Sequence, residues 1–145
     1  MIALHPEIQE QIHQEILEVL GDDKNKIATM QELHQLNYLE RVIKESLRLY
    51  PSVAVVSRNL NEDLQLGEYL IPKDCTVTVQ IFMLHKDERF FPNAEKFDPD
   101  RFLPENLINR HPYAYVPFSA GMRNCIGQKY AVSQLFINKY YYKII

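Results

Sequence analysis

Cysteine is scarce in this chain. Its 145 residues contain two, Cys75 and Cys125, which lie far apart in the sequence. Neither belongs to a Cys-x-x-Cys pair. Two cysteines make neither a disulfide framework nor a cysteine-rich zinc site, although their number is compatible with one disulfide. Reduced thiols in an intracellular setting are the preferred interpretation.

Long apolar runs and a concentration of one charge are also missing. No apolar run reaches the roughly 18 residues of a membrane-spanning helix, and the first residues lack the layout of a secretory signal. We therefore expect no targeting or transmembrane segment in this chain. Its net charge is −3, and the basic residues are dispersed among acidic ones, which argues against a nucleic-acid partner. With 46% hydrophobic and 24% charged residues, the composition is that of an ordinary globular protein.

The first fifty residues have the period of amphipathic helices. We predict three helices, over residues 5–20, 30–36 and 38–50. Thr29 and Glu32 have the spacing of a capping box before the second helix, and Asn37 and Glu40 repeat it at the third. The apolar face predicted for the third helix consists of Leu39, Val42, Ile43, Leu47 and Tyr50.

After residue 52 the pattern changes. Residues 53–81 are rich in strand-forming side chains and predict one small sheet of short antiparallel strands. Residues 85–117 contain too many prolines for long helices but too many phenylalanines for disorder, so we predict an ordered meander. A last helix is predicted over residues 125–142. The expected fold is mainly α with a small antiparallel β-sheet, in the α+β class.

One segment carries more chemical information than the rest. Residues 118–127, Phe-Ser-Ala-Gly-Met-Arg-Asn-Cys-Ile-Gly, fit the pattern Phe-x-x-Gly-x-Arg-x-Cys-x-Gly at its five fixed positions. The segment resembles the haem-binding loop of cytochromes P-450. A full motif at a loop-to-helix junction outweighs the alternative of a buried, inert cysteine in a glycine-containing loop.

The resemblance implies a role for each fixed residue. Cys125 would be the thiolate ligand of haem iron, activated by the start of a helix. Gly121 would allow a left-handed turn, and Gly127 would let the backbone lie close to the porphyrin. Arg123 would bind a haem propionate, and Phe118 would shield the sulfur from water.

Two further motifs resemble parts of the same family. Glu45 and Arg48 match its Glu-x-x-Arg element, although an acid and a base at this spacing are often only an exposed pair. Arg101, in Pro-Asp-Arg-Phe, matches the arginine that joins them, so the resemblance implies a buried network of Glu45, Arg48 and Arg101. Arg58 fits the position of a second propionate ligand, with a solvated arginine as the alternative. His85 opens a His-x-Asp run that is also similar to the family.

The resemblance implies that residues 1–145 are the C-terminal, haem-binding part of a cytochrome P-450. The expected activity is insertion of one atom of O₂ into an apolar substrate, with haem b as cofactor. Electrons would come from an NADPH-cytochrome reductase, with cytochrome b5 as an alternative donor. The branch that it resembles most is family four, the fatty-acid ω-hydroxylases. The parent protein would lie on the cytoplasmic face of the endoplasmic reticulum membrane, held by an anchor outside this chain.

Two alternatives stay open at this point. The chain could be a non-catalytic, truncated remnant, or part of a haem-thiolate isomerase or dehydratase that acts without O₂. An acid and an alcohol on a long helix before Met1 would favour oxygen activation. Because the distal haem pocket and most substrate contacts would lie outside this chain, we expect the 145 residues alone to be inactive.

Overall fold

The fold is mainly helical with short antiparallel strands, which confirms the predicted class. A computed structural model describes the backbone of residues 2–23 and 26–141 and the side chains through Ile137. Its α-helices are α1 (Pro6–Leu20), α2 (Met30–Leu33), α3 (Asn37–Leu49), α4 (Ile81–Leu84), α5 (Pro104–Leu107) and α6 (Gln128–Tyr141). Within these described ranges, no helix is long and apolar enough to cross a bilayer.

The main core lies where α1, α2 and α3 pack together. Apolar side chains of these helices are buried with two aromatic residues from later in the chain, Phe97 and Phe136. Helix α3 is enclosed on almost every side, and Leu39 and Val42 are completely buried. Tyr50, predicted on its apolar face, is instead 63% exposed, because α3 ends at Leu49 and the chain leaves the helical conformation at Tyr50.

Of the two capping boxes predicted from the sequence, the structure contains one and lacks the other. The Thr29–Glu32 capping box is present, with the Glu32 N–H donating to Thr29 Oγ1 over 3.3 Å. Helix α2 is shorter than the predicted 30–36, because the chain turns after Leu33 to bury Leu36. The predicted box at Asn37 is wrong, since Asn37 lies inside the first turn of α3.

Glu15 of α1 caps α3 in place of Asn37. Its two carboxylate oxygens accept the N–H groups of Tyr38 and Leu39, over 2.6 and 2.8 Å. These donors have no partner within the helix, because the first turn of any α-helix leaves its N–H groups free. A carboxylate there also interacts favourably with the helix dipole. Helix α3 therefore begins where a side chain of another helix accepts hydrogen bonds from its first N–H groups.

The single sheet predicted over residues 53–81 is wrong in detail. Strands β1 (Val55–Asn59) and β4 (Thr76–Gln80) form one antiparallel ladder, and β2 (Leu64–Leu66) and β3 (Tyr69–Ile71) form a separate one. The two ladders are nested in one long hairpin. Pro72 has no N–H to give, and Asp74 has a φ of 66°, so pairing is interrupted between the ladders. Ile81, placed in the sheet by the sequence, begins α4.

Candidate haem-binding loop and its support

Cys125 lies in an exposed loop between the meander and α6. A 3₁₀ turn at Gly121–Arg123 precedes it, and Gly121 has a φ of 76°, in the left-handed region that glycine adopts without strain. The Cys125 N–H donates to the carbonyl of Phe118 over 2.9 Å and closes the loop on itself. The thiol of Cys125 is free and exposed. The loop is thus closed by a backbone hydrogen bond and exposes the sulfur to solvent.

The last helix begins later than residue 125. Helix α6 starts at Gln128, and its first helical hydrogen bond runs from Ala131 N–H to the carbonyl of Gly127. Cys125 stays outside the helix, and its N–H is bonded to the Phe118 carbonyl of the loop. Its sulfur therefore lies just before a helix N-terminus rather than on the helix. Residue 142, the predicted end, lies outside the described residues.

The surroundings of Cys125 fit the group that the resemblance implies. Met122 and Ile126, on either side of the thiol in sequence, are as exposed as free side chains, at 103% and 105%. Arg123 between them is also exposed. A Cβ built on Gly127 would meet only the Cys125 sulfur, at 3.9 Å. A soft donor, apolar neighbours and a guanidinium suit a large, flat, apolar group with carboxylates at its edge, as haem is.

Phe118 and Arg58 lie in different parts of the structure. Phe118 is half-buried and lines a cavity of about 580 Å³ between α2, α3, α6 and the loop. Arg58 is exposed on β1, where its Nη1 donates to the carbonyl of Ser57 over 2.8 Å. Among the described residues, no hydrogen bond or ion pair joins Arg58 to the Cys125 loop. The structure therefore does not bring Arg58 to the other candidate residues through a direct contact.

Glu45, Arg48 and Arg101 meet in the interior. Arg48 holds Glu45 with two hydrogen bonds, from Nε over 2.7 Å and from Nη2 over 2.9 Å, and both side chains are completely buried. The Nε of Arg101 lies 3.4 Å from the same carboxylate. Such a forked pair is among the stronger polar contacts in proteins. Two arginines thus share one buried carboxylate.

This network also fixes the backbone of the meander. Arg48 and Arg101 donate to four carbonyl groups in residues 85–96, and Glu45 accepts the N–H of a fifth residue. These residues are His85, Pro92, Asn93, Lys96 and Asp98. Because loop carbonyls replace water around the buried charges, the network orders a segment that has little regular structure of its own.

His85 has a role that the sequence did not reveal. Its ring is completely buried, and its Nε2 accepts the N–H of Val116 over 2.9 Å, just before the Cys125 loop. Its Nδ1 has no hydrogen bond of standard geometry among the described residues. The ring stacks on Tyr115, whose hydroxyl donates to the Lys44 carbonyl of α3 over 2.8 Å. Only the His-x-Asp resemblance pointed to this residue, and it gave no partner.

Burial keeps the His85 ring neutral. Loss of hydration lowers the pKa of His85 from 6.5 to about 4, and the Arg48 charge acts in the same direction. The backbone carbonyls of Arg48 and Leu47 near the ring oppose this shift without reversing it. Burial also raises the pKa of the stacked Tyr115, so that ring stays uncharged as well. A neutral His85 can accept the Val116 N–H at Nε2 only with its proton on Nδ1.

Acidification should therefore destabilise the fold through His85. The unfolded chain takes up this proton near pH 6.5 and the folded chain only near pH 4, so stability is lost as the pH falls through this window. The shift corresponds to about 3 kcal/mol. Urea unfolding at several pH values measures it, with His85→Gln as a variant that has no ring to protonate. An equally steep loss in His85→Gln would contradict the assignment.

The sequence is similar to proteins of one family over almost its whole length. Residues 1–138 match the family model described as Cytochrome P450. Cytochrome P450 4c3 of Drosophila melanogaster is 48% identical over 132 residues, which cover 91% of this chain and 25% of that protein. Cytochrome P450 4c21 of Blattella germanica is 50% identical over 129 residues, covering 88% and 25%. Cytochrome P450 4V2 of Homo sapiens is 48% identical over 134 residues, covering 92% and 25%.

These relatives identify the family and show how much of a family member the chain covers. The chain spans about a quarter of the length of the curated relatives it matches. All three carry the number of family four in their names, which agrees with the branch indicated by the sequence. The chain belongs to the cytochrome P450 family, and its similarity places it in the family-four branch.

Proposed function

We propose that this chain forms the thiolate side of the haem site in a monooxygenase, in which Cys125 would supply the thiolate that binds the iron. The observation that carries the proposal is the exposed Cys125 thiol, presented by a closed loop between the exposed side chains of Met122 and Ile126. When bound, a thiolate-ligated haem supplies O₂ activation, because the sulfur's electron density favours O–O cleavage. We propose haem b as this group.

The residues of this chain would bind the cofactor and keep the ligand in place. Arg123 would pair with a propionate, and Arg58 would contact a second one from β1. Gly127 leaves space beside the sulfur, since a Cβ there would only touch it at 3.9 Å. Phe118 would limit the approach of water from the cavity it lines. Glu45, Arg48 and Arg101 would do no chemistry and would hold the meander that leads into the loop.

The finer parts of the proposal follow from the family-four similarity. We propose a fatty acid as substrate, ω-hydroxylation as the reaction, and an NADPH-cytochrome reductase as the electron source, with cytochrome b5 as a second donor. The family-length protein would lie on the cytoplasmic face of the endoplasmic reticulum membrane. Since this chain spans about a quarter of its relatives, we expect the 145 residues alone to lack the activity.

A chimera tests the function directly. This chain replaces the matching quarter of cytochrome P450 4c3, and the protein is loaded with haem and supplied with reductase, NADPH, ¹⁸O₂ and a fatty acid. We expect a hydroxylated product that carries one labelled oxygen atom and depends on the reductase, because monooxygenation consumes O₂ and two electrons. The same mixture without reductase is the control.

Two outcomes would contradict this proposal. Rearrangement of a fatty-acid hydroperoxide by the chimera, without O₂ or reductase and without label in the product, would indicate an isomerase or dehydratase. A chimera that folds but takes up no haem would indicate a non-catalytic remnant.

A further inference from the structure

Two hydrogen bonds hold the chain at the point where it enters the Cys125 loop. The Tyr115 hydroxyl donates to the Lys44 carbonyl of α3 over 2.8 Å. The next residue, Val116, donates its N–H to Nε2 of His85 over 2.9 Å. Both partners lie far away in sequence, so these bonds fix the loop entrance against the body of the fold. A backbone N–H that is bonded in this way cannot move without leaving a polar group unpaired.

His85 is itself held from several directions. Its carbonyl accepts a hydrogen bond from Arg48 over 2.9 Å, and its N–H donates to Ile81 of α4 over 2.9 Å. Its ring stacks on Tyr115 with 5.1 Å between centroids and meets Phe91 edge-on at 6.4 Å. A side chain whose backbone and ring are both held by contacts offers a well-defined acceptor position. His85 thus joins the buried ionic network to the loop.

The path from this acceptor to the sulfur is short. Val116 precedes Phe118 by two residues, and the Phe118 carbonyl accepts the Cys125 N–H over 2.9 Å. A displacement of the backbone at residue 116 therefore reaches the base of the Cys125 loop within a few bonds. The exposed part of the loop, from residue 120 to 126, offers little other support, because its side chains point into solvent.

We propose that His85 is a positioning residue for the haem ligand: its Nε2, by accepting the Val116 N–H, sets where the loop places the Cys125 thiolate at the iron. Among the described residues, no hydrogen bond or ring contact joins His85 to Cys125, so His85 would act through the backbone of residues 116–118. The proposal rests on the proposed function of Cys125. It differs from a packing role because it requires an acceptor atom at the position of Nε2.

The neutral state of the ring agrees with this role. Because burial keeps the pKa of His85 near 4, Nε2 remains an acceptor at ordinary pH. A protonated ring would turn an N–H towards the N–H of Val116 and remove the bond. The charged group that acts on the ring is Arg48, already paired with Glu45, and the stacked Tyr115 is uncharged. Neither the Arg48 charge nor Tyr115 favours protonation of the ring, so the bond from Val116 persists at neutral pH.

Three variants of the haem-loaded chimera separate the acceptor from the ring. His85→Phe keeps a flat ring for Tyr115 and removes the acceptor. His85→Gln removes the ring but can place its Oε1 where Nε2 lies, and His85→Asn has the same chemistry with a side chain too short to reach. The measurement is the reduced carbon-monoxide difference spectrum, as the ratio of the thiolate-type band to the neutral-thiol band, together with haem content.

The expected ratios follow from the acceptor alone. In His85→Phe and His85→Asn the ratio of the thiolate-type band to the neutral-thiol band should fall by about fivefold, which corresponds to the net contribution of one hydrogen bond. In His85→Gln it should stay within about twofold of the unsubstituted chimera, because the acceptor is restored. If His85→Phe does not fold, the comparison of Gln with Asn still decides the question.

Equal ratios in the Gln and Asn variants, whether lowered or unchanged, would overturn the positioning role. A ratio preserved in His85→Phe and lost in His85→Gln would overturn it in favour of ring packing. A failure of the proposed function looks different, because the unsubstituted chimera would then show no thiolate-type band at all. That result would remove this proposal together with the function on which it rests.

Discussion

Replacing Cys125 with alanine is expected to abolish the thiolate-type carbon-monoxide band of the haem-loaded chimera. The alanine side chain has no donor atom, and no flanking residue offers a thiolate, since Met122 has only a neutral thioether, Ile126 has no donor and Arg123 is a cation. The loss should be complete rather than graded, because one sulfur makes the proposed iron bond. The reduced carbon-monoxide difference spectrum measures it.

The second cysteine provides the matched control. Cys75 is half-buried before β4, where its carbonyl accepts the Leu60 N–H over 2.9 Å. Cys75→Ala keeps that backbone bond and should leave the band unchanged. A thiolate-type band that survives Cys125→Ala, or disappears in Cys75→Ala, would overturn the ligand assignment.

Replacing Glu45 with alanine should have the largest effect on stability. The change leaves Arg48 buried without its countercharge. It also removes the carboxylate that pairs with Arg101 and accepts the Asp98 N–H. Removal of one partner of a buried ion pair costs about 3–5 kcal/mol. We expect the chimera to lose haem uptake as the meander loosens, and urea unfolding with haem titration would measure both effects.

The same helix carries an exposed pair that serves as the control. Glu40 and Lys44 lie 2.8 Å apart with side chains 45% and 37% exposed. Glu40→Ala should cost less than about 1 kcal/mol and leave haem uptake normal, because solvent screens an exposed pair. Similar losses in Glu40→Ala and Glu45→Ala would show that the buried network has no special role.

The sequence could predict features that are written in short segments. The capping box at Thr29 and Glu32 depends on residues three positions apart, and its hydrogen bonds form as predicted. The positive φ of Gly121 likewise follows from one residue type at one position of a motif. The partners Glu45 and Arg48 are neighbours on one helix, so the motif could name them, although helical spacing alone could not bury them.

Other features depend on residues that meet only in the folded chain. The bond from Val116 to His85 joins positions 31 residues apart. A local pattern marks His85, but none marks Val116 or pairs the two. Asn37 had the right spacing for a cap, but Glu15 was placed to satisfy the same N–H groups from another helix. The break in the sheet depends on Asp74 adopting a left-handed conformation, which an aspartate only sometimes does.

The cap that Glu15 provides makes α1 and α3 a single cooperative unit. The first turn of α3 is complete only when α1 is docked, so the two helices should open and close together rather than fray independently. Docking closes a loop of more than twenty residues, and its entropy cost is offset by the shared core. Because α3 also carries Glu45 and Arg48, loosening at the first helix reaches the ionic network and, through it, the chain that leads to Cys125.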